Sequence, residues 1–492
     1  MTTLILFAIY LCALIPLAWL GRRASGGKTP RDFYLAGSKL GFFVLLCTLF
    51  ATQYSGNTFM AFPGKAYRIG YTYMMSITFM MAMVTFYLLY APALRRVAVT
   101  RGYVTPCDWI HDRYKSRPLT LICALIMMIA LLNFLLAQLM AMGHAVEGLT
   151  EGRINYRSGV LLLAVVIVLY ETIGGMRAVA WTDTLQGLIM AVAVCILGGF
   201  LLSRYGELRE LPRQILEIAP EKVAPPDWKH CLTWGSTIII VGLGGAMYPQ
   251  AIQRIYAARS TLTLQRSLAV MVFLPLGIVL FAYVIGIMAI VQFPGLDAIK
   301  SDQVMVMMLG WIAGQGPVLN LAVSLLLLGA LAAIMSTADS VLLSLSSIAV
   351  QDVYGKTIGH GETDERLLQL GKITSWVLMA IMVSIALTPR TTLFRLLEIK
   401  FELLVQVAPA FILGFRRPRL GARTALVGIL AGSLIALVGF FHHELSFAGL
   451  RISEKWWGVH PGTVGLAVNL ILCLAGERFF GGGRSEPWRA EP

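Results

Sequence analysis

Long runs of apolar residues, each bounded by charged residues or by proline and glycine, repeat along almost the whole chain. A run of about 20 apolar residues is long enough to cross a bilayer as a helix. The runs that predict such helices are approximately 3–20, 40–62, 73–90, 119–143, 154–172, 184–202, 233–256, 268–291, 318–350, 373–387, 401–415, 424–441 and 462–474. The pattern therefore predicts an all-α membrane protein with about 13 transmembrane helices.

Two of these predicted spans, the second and the seventh, are interrupted in their middle. The second carries Gly56, and the seventh carries a cluster of helix breakers, Gly242, Gly244, Gly245 and Pro249. In a bilayer, a broken helix is tolerated only where its freed backbone groups are enclosed by protein or line a cavity. The starts of the two spans are five spans apart, which is the spacing of two five-helix repeats around a transporter's central site. The alternative is that glycine and proline are simply more common in membrane helices.

The spans predict one transmembrane transporter domain over residues 1–480 and a cytoplasmic tail over 478–492. The predicted parts of the domain are a first helix with a basic inner loop (1–38), a first repeat (40–202), a second repeat (233–415) and two C-terminal helices (424–474).

Composition and charge narrow the class of protein. The chain has 492 residues, of which 57% are hydrophobic and 13% are charged. Soluble proteins have about 25% charged residues, so soluble enzymes and nucleic-acid binders are excluded. An outside N-terminus puts 25 of the 40 Lys and Arg residues, Arg254 among them, in inner loops, as the positive-inside rule requires. The seven cysteines form no Cys-x-x-Cys pair, so neither a disulfide framework nor a metal site is indicated.

Polar residues concentrate at the two interruptions. Seven consecutive residues, 52–58, lack an aliphatic side chain within an otherwise apolar span. The residues expected to contact a solute are Gln53, Ser55, Gly56, Asn57, Gln138, Gly245, Tyr248 and Gln406. No Lys or Arg is placed near the middle of a span lining this site. A small neutral, zwitterionic or monocarboxylate solute is therefore favoured over a multiply charged one.

The ninth span contains a pattern of oxygen ligands. In a helix, the carbonyl of residue i lies close to the side chains at i+3 and i+4, where Ser and Thr hydroxyls often bond back to it. Ala333, Ser336 and Thr337 therefore present one carbonyl and two hydroxyls to the same small volume. Two carbonyls from the second span would complete a neutral shell of five oxygens for a hard cation. The alternative is that both hydroxyls only bond their own helix.

Two carboxylates are associated with the membrane. Asp183 is predicted at the inner mouth of the sixth span, and Asp339 lies within the ninth. Such groups are costly in lipid and usually functional. For Asp183, the alternative is an interfacial residue that pairs with Arg177 or caps its helix. Asp339 and Ser340 share a face with Ser336 because they stand three and four residues after it.

Several motifs, taken together, are typical of one known family. They are residues 32–37, 54–56 with 63–64, 174–179 with 181–183 and Gln186, 253–259, and 335–337. From about Phe33 to the end of the ninth span, the chain resembles the sodium:solute symporters. That family includes bacterial proline, pantothenate, acetate and sialic acid transporters and the animal sodium–glucose cotransporters. The resemblance implies a thirteen-helix topology and a five-plus-five inverted-repeat core like that of the bacterial leucine transporter (LeuT-like).

The resemblance also implies a set of sodium ligands. They are the backbone carbonyls of Ala51, Tyr54 and Ala333 and the hydroxyls of Ser336 and Thr337. The resemblance departs at Gln53 and Val241, where members similar to the proline transporters carry an aspartate and an aromatic residue. This departure argues against proline as the solute.

A second ion site is implied beside the first. Asp183 matches a carboxylate on the family's inward sodium path, and some members of the family hold a second sodium between that aspartate and nearby hydroxyls. Asp183, Asp339 and Ser340 form the corresponding set here. Two carboxylates in one small volume need a bound cation or one shared proton, so the expected second ion is sodium or a proton. The alternative is that Asp339 is a structural residue paired with a neighbour.

The predicted function is sodium-coupled secondary active symport of a small organic solute (a monocarboxylate, amino acid or vitamin-like compound) by alternating access, without enzymatic activity. Sodium is the expected coupling ion. The solute and the lipid bilayer are the expected partners, with no nucleic acid and no obligatory protein partner. The expected location is the bacterial inner membrane, with the N-terminus outside and the C-terminus cytoplasmic.

Two other classes of function are disfavoured by the sequence. A symporter-like sensor without net transport is disfavoured by the short tail and by the lack of a kinase domain. An intramembrane enzyme would need a convergent catalytic set, which the scattered histidines do not supply.

Overall fold

Helices make up nearly all of the described chain. The computed structural model describes residues 2–24, 29–53, 57–150, 152–203, 205–356, 359, 361–388, 393–440 and 455–480. The α-helices within these ranges are α1 (Thr2–Ala24), α2 (Pro30–Leu35), α3 (Phe42–Gln53), α4 (Phe62–Ile69), α5 (Ile77–Leu88), α6 (Ala91–Arg101), α7 (Pro106–Tyr114), α8 (Arg117–Leu149), α9 (Tyr156–Ser203), α10 (Tyr205–Ile218), α11 (Trp228–Ala246), α12 (Pro249–Ala257), α13 (Thr261–Met271), α14 (Leu274–Gln292), α15 (Val304–Ala313), α16 (Pro317–Ser347), α17 (Asp364–Ala386), α18 (Leu393–Leu404), α19 (Ala408–Arg416), α20 (Ala422–Phe440) and α21 (Pro461–Phe480).

Long apolar helices dominate this set. By length and hydropathy, seven helices in the described ranges are able to cross a membrane, and the bent pair of α11 and α12 makes eight. Other predicted spans consist of shorter pieces, such as the eleventh, in which a single turn over Val405–Val407 joins α18 to α19. The count of thirteen spans therefore stays a prediction.

The interruption predicted in the seventh span is confirmed. α11 ends at Ala246, α12 begins at Pro249, and their axes differ by 47°. Pro249 is suited to the first turn of α12, where its missing N–H breaks no helical hydrogen bond. A Cβ on Gly245 would lie 2.1 Å from the Met83 side chain, so the bare backbone of α11 allows α5 to pack closely against it.

The interruption predicted in the second span falls partly outside the described residues. α3 ends at Gln53, and a π turn over Asn57–Ala61 leads into α4. Tyr54, Ser55 and Gly56 lie outside the described ranges.

The fifth and sixth predicted spans form one helical run, α9, with a break at a single residue. Gly175 has φ +55° and ψ −160°, a conformation that is essentially restricted to glycine. A Cβ there would lie 2.7 Å from the carbonyl oxygen of Phe33. The loop predicted over 173–183 is therefore helical on both sides of Gly175, and Asp183 lies about two turns inside the second half.

Helix α16 lies at the centre of the molecule. It packs against α3, α8 and α9, and every residue from Gly329 to Ser347 is buried. This segment carries the ligands predicted on the ninth span. At the periphery, α20 packs against α21 so closely that a Cβ on Gly465 would lie 2.4 Å from the carbonyl oxygen of Gly432.

Candidate functional site

The hydroxyl of Thr337 joins α16 to the end of α3. Thr337 Oγ1 lies 2.9 Å from the carbonyl oxygen of Ala333, on its own helix, and 3.1 Å from that of Ala51, on α3. All three residues are completely buried. Three of the five oxygens expected to bind sodium therefore converge at one point. A fourth, the carbonyl of Tyr54, lies outside the described residues.

Ser336 faces a different neighbour. Its hydroxyl donates a short hydrogen bond to Asp183 Oδ1. Adjacent residues on a helix point about 100° apart, so Ser336 and Thr337 serve adjacent parts of the same buried region. The fifth predicted sodium ligand thus points to the carboxylate of Asp183, whereas Thr337 points to the carbonyls of Ala51 and Ala333.

Asp183 is fully buried and paired with an arginine. Its Oδ2 atom accepts a short hydrogen bond from the Thr48 hydroxyl and lies 3.2 Å from Arg254 Nη2. The side chains of Asp183 and Arg254 are both completely inaccessible to solvent. The alternative of an interfacial Asp183 paired with Arg177 is therefore wrong, and Arg177 donates to the carbonyl of Ala36 at 3.1 Å.

Arg254 links four helices through one guanidinium group. It reaches the Thr48 hydroxyl on α3 (Nε, 2.8 Å), the Gln250 carbonyl on α12 (Nη1, 3.0 Å) and the Ser340 hydroxyl on α16 (Nη2, 2.5 Å), besides Asp183 on α9. Assignment of Arg254 to a basic inner loop is wrong, because α12 continues to Ala257 and is buried along its whole length.

The second predicted carboxylate, Asp339, is linked through Ser340 to the ion pair of Asp183 and Arg254, and these four residues form one buried network. Asp339 accepts a short hydrogen bond from the Tyr170 hydroxyl and a second, of 3.1 Å, from Ser340 Oγ. Ser340 Oγ also lies 2.7 Å from the carbonyl oxygen of Ser336. Asp183 and Asp339 therefore share one guanidinium, directly or through Ser340. If both carboxylates are ionised, the two carboxylates and the guanidinium together carry one uncompensated negative charge.

A third buried carboxylate, which sequence reasoning missed, borders the network. Glu171 follows Tyr170 on α9 and accepts a hydrogen bond of 3.1 Å from the Ser375 hydroxyl on α17. It is 2% exposed. In the sequence, Glu171 stands near the end of an apolar run, where an ordinary residue at the membrane interface is also expected. Its position therefore gave no signal of a buried carboxylate.

Two residues predicted to contact the solute, Gly245 and Tyr248, lie at the bend between α11 and α12. The Tyr248 ring stacks on Phe134 of α8 with 5.2 Å between ring centroids, and Gln138 lies one turn further along α8. The Gly245 carbonyl accepts a 2.8 Å hydrogen bond from the Tyr87 hydroxyl. Gln53 is buried at the end of α3, and its amide has no hydrogen-bond partner among the described residues.

The remaining predicted solute contacts do not all join this group. Ser55 and Gly56 lie outside the described residues, and so does the side chain of Asn57. The side-chain amide of Gln406 donates to the carbonyl of Glu402 on α18 at 3.1 Å and to that of Gly462 on α21 at 2.8 Å. Gln406 therefore holds helices together, and we leave it out of the proposed solute site.

A buried lysine stands beside the predicted solute contacts. Lys400 is 1% exposed, and its Nζ atom lies 3.2 Å from the centroid of the Phe134 ring and 5.1 Å from those of Tyr248 and Phe401. The expectation that no Lys or Arg lines the site is therefore wrong. Sequence reasoning missed Lys400 because the apolar run begins at Phe401, whereas α18 begins at Leu393.

Comparison with known proteins decides the family. The model of the sodium:solute symporter family matches residues 33–432. The chain belongs to the sodium:solute symporter family. Among its relatives, the sodium/pantothenate symporter of Escherichia coli (strain K12) is 25% identical to this symporter over 93% of the chain and 92% of the relative. The sodium/proline symporter of Haemophilus influenzae is 25% identical over 88% and 87%.

A solved structure confirms the predicted LeuT-like fold of this symporter. A Na+-coupled sialic acid symporter, in a substrate-bound outward-open state, matches with a TM-score of 0.76 and 17% identity over 98% of both chains. The symporter is thus a multi-pass membrane transporter and not an enzyme, and sodium is its coupling ion.

Proposed function

We propose that this protein imports a small organic solute together with sodium by alternating access across the bacterial inner membrane, with its N-terminus outside. The observation that carries the proposal is the convergence of the Ala51 carbonyl, the Ala333 carbonyl and the Thr337 hydroxyl between α3 and α16. Neutral oxygens suit a hard cation that must be released again, because they hold it without a full opposing charge.

The proposed sodium ligands are the three converging groups, the Tyr54 carbonyl and the Ser336 hydroxyl. The proposed solute contacts are Gln53, Ser55, Gly56, Asn57, Gln138, Gly245 and Tyr248. The stack of Tyr248 on Phe134 supports the second set, because it brings α8 against the bend of the seventh span. Transporters of this architecture bind solute and ion near such interrupted helices.

We also propose a second coupling ion, sodium or a proton, beside the first. Its supporting groups are Asp183, Asp339 and Ser340. Arg254 balances one carboxylate of the pair, and a buried charge without compensation is costly. A cation or a proton at Asp339 would balance the other.

Uptake by purified protein in proteoliposomes tests the proposal. An inward sodium gradient should drive accumulation of a solute identified by a thermal-shift screen, and an inward-negative potential should increase it. Each elementary charge that crosses 100 mV contributes about 2.3 kcal/mol. Sodium-dependent binding without accumulation would contradict transport and indicate a sensor instead.

A further inference from the structure

Lys400 is enclosed by aromatic rings from three parts of the molecule. Its Nζ atom faces Phe134 of α8, Tyr248 at the bend between α11 and α12, and Phe401 of its own helix. The helix that carries it, α18, also packs against the π turn that leads into α4. The helix that carries Lys400 therefore packs against both interrupted segments, and Lys400 itself contacts Tyr248, one of the proposed solute contacts.

The ammonium group of Lys400 has neither a hydrogen-bond acceptor nor a carboxylate partner within the described ranges. The acids nearest in sequence point elsewhere, because residues two positions apart on a helix do not face each other. Glu402 Oε1 lies 2.9 Å from His460 Nδ1, and Glu398 Oε1 lies 3.7 Å from Lys455 Nζ. Aromatic faces attract a cation, but they compensate only part of the cost of burying a charge.

We propose that Lys400 binds the carboxylate of the transported solute, and that this solute is a monocarboxylate with a compact apolar body. The carboxylate would supply the missing counter-charge and hydrogen-bond acceptors, while the apolar body would pack on the Phe134 and Tyr248 rings. This inference rests on the proposed transport function and narrows its substrate class.

The test uses matched acids and amides on the full-length protein in detergent. Acetate, butyrate, benzoate and phenylacetate are compared with their uncharged amides at constant sodium, and binding is followed by thermal shift. At least one acid should stabilise the wild type, and its amide should not. Lys400→Met should weaken binding of that acid about tenfold to a hundredfold, as expected for a hydrogen-bonded charge pair. Lys400→Arg should retain part of the affinity.

A second lysine provides the control for folding. Lys356 Nζ lies 2.6 Å from both Asp108 Oδ1 and Asp352 Oδ1, so Lys356→Met breaks compensated pairs and should lower the unfolding temperature. Lys400→Met removes an uncompensated charge and, without added acid, should leave the unfolding temperature unchanged or raise it. A marked decrease for Lys400→Met would indicate a structural lysine and overturn the proposal.

Other outcomes separate this inference from the proposed function. The inference is overturned if no acid stabilises the wild type, if amides bind as well as acids, or if Lys400→Met retains the affinity for acids. In those cases, sodium-driven uptake of another solute would leave the transport proposal intact. If instead an acid is taken up at a rate that does not depend on sodium, the proposed coupling to sodium is contradicted, whereas the proposed role of Lys400 is retained.

Discussion

At the residue scale, neighbours in sequence have separate tasks. Thr337 bridges two carbonyls of the proposed sodium site, whereas Ser336 bonds to Asp183. Helical spacing is sufficient to predict that both hydroxyls are candidate ligands, because that spacing depends only on local geometry. It does not predict the hydrogen-bond partner of Ser336, because Asp183 lies on a helix that is far away in the sequence.

Thr337→Ala should raise the sodium concentration for half-maximal uptake about fivefold or more, because it removes one oxygen ligand worth about 1 kcal/mol. Ser336→Ala should act in the same direction. Solute affinity at saturating sodium should change much less. The control is Thr85→Ala, whose hydroxyl bonds back to Met81 on its own helix at 2.8 Å. Wild-type sodium dependence in the double variant Ser336→Ala/Thr337→Ala would rule out the site.

Asp339→Ser should lower the Hill coefficient for sodium towards one, because it removes the carboxylate proposed to hold the second ion. In the wild type, acidification should lower sodium affinity, since a proton would compete for Asp339 among Asp183, Arg254, Tyr170 and Glu171. Uptake assays over a range of pH and sodium concentration measure both effects. Asp227→Ser is the control, because that exposed carboxylate at the start of α11 bonds to His230 and is far in sequence from every member of the network. A Hill coefficient near one, no pH dependence and no effect of Asp339→Ser would refute the second ion.

At the scale of elements, the conformation of Gly175 determines how the two halves of α9 are arranged. Gly175→Ala should lower the free energy of unfolding by about 1–3 kcal/mol, because its backbone conformation is strained for any residue with a Cβ, and the close approach of Phe33 adds to this. Thermal unfolding in detergent measures the loss.

Gly198→Ala is the control on the same helix, where a new Cβ meets no atom within 4 Å. It should be neutral or slightly stabilising, because alanine favours helix more than glycine does. Equal effects of the two substitutions would contradict the role given to Gly175.

The sequence predicts elements better than it predicts their ends. Apolar runs located α8, α16 and the bend at Pro249, because the bilayer imposes long apolar helices and tolerates few breaks. The same criterion uses charged residues to mark the ends of spans. It therefore counted Arg254, at the end of the run 233–256, with the inner loop, and it began the eleventh span just after Lys400. Both charges are buried by contacts with distant helices, and hydropathy along the chain contains no information about those contacts.

At the scale of the whole molecule, Arg254 joins segments that are far apart in the sequence. It lies on α12, within the predicted second repeat, and contacts α3 and α9, within the predicted first repeat. The side chains that meet there connect α12 to α3, α9 and α16 through one buried ion pair and its hydrogen bonds.

Arg254→Met should destabilise the protein by about 3–5 kcal/mol, because it leaves Asp183 buried without its counter-charge. Arg254→Met/Asp183→Asn should recover part of this loss, since no buried charge is then left unpaired at that position. A double-mutant cycle based on thermal unfolding measures the coupling.

Arg101→Met is the matched control, because the Arg101 side chain is 42% exposed beside Asp112 and such a pair contributes at most about 1 kcal/mol. Additive effects of Arg254→Met and Asp183→Asn would show that the two side chains act independently.

The hydroxyl of Ser340 can adjust to a change in the charge of Asp339 by rotating its own O–H bond. It has a single hydrogen to donate, yet two acceptors lie within reach, the Ser336 carbonyl at 2.7 Å and Asp339 at 3.1 Å. With Asp339 ionised, the hydrogen points to the carboxylate; with Asp339 protonated, the acid donates to Ser340, whose hydrogen turns to the carbonyl. Both charge states fit the same heavy-atom positions. Charging and discharging Asp339 therefore needs only a rotation of one O–H bond and no repacking of helices.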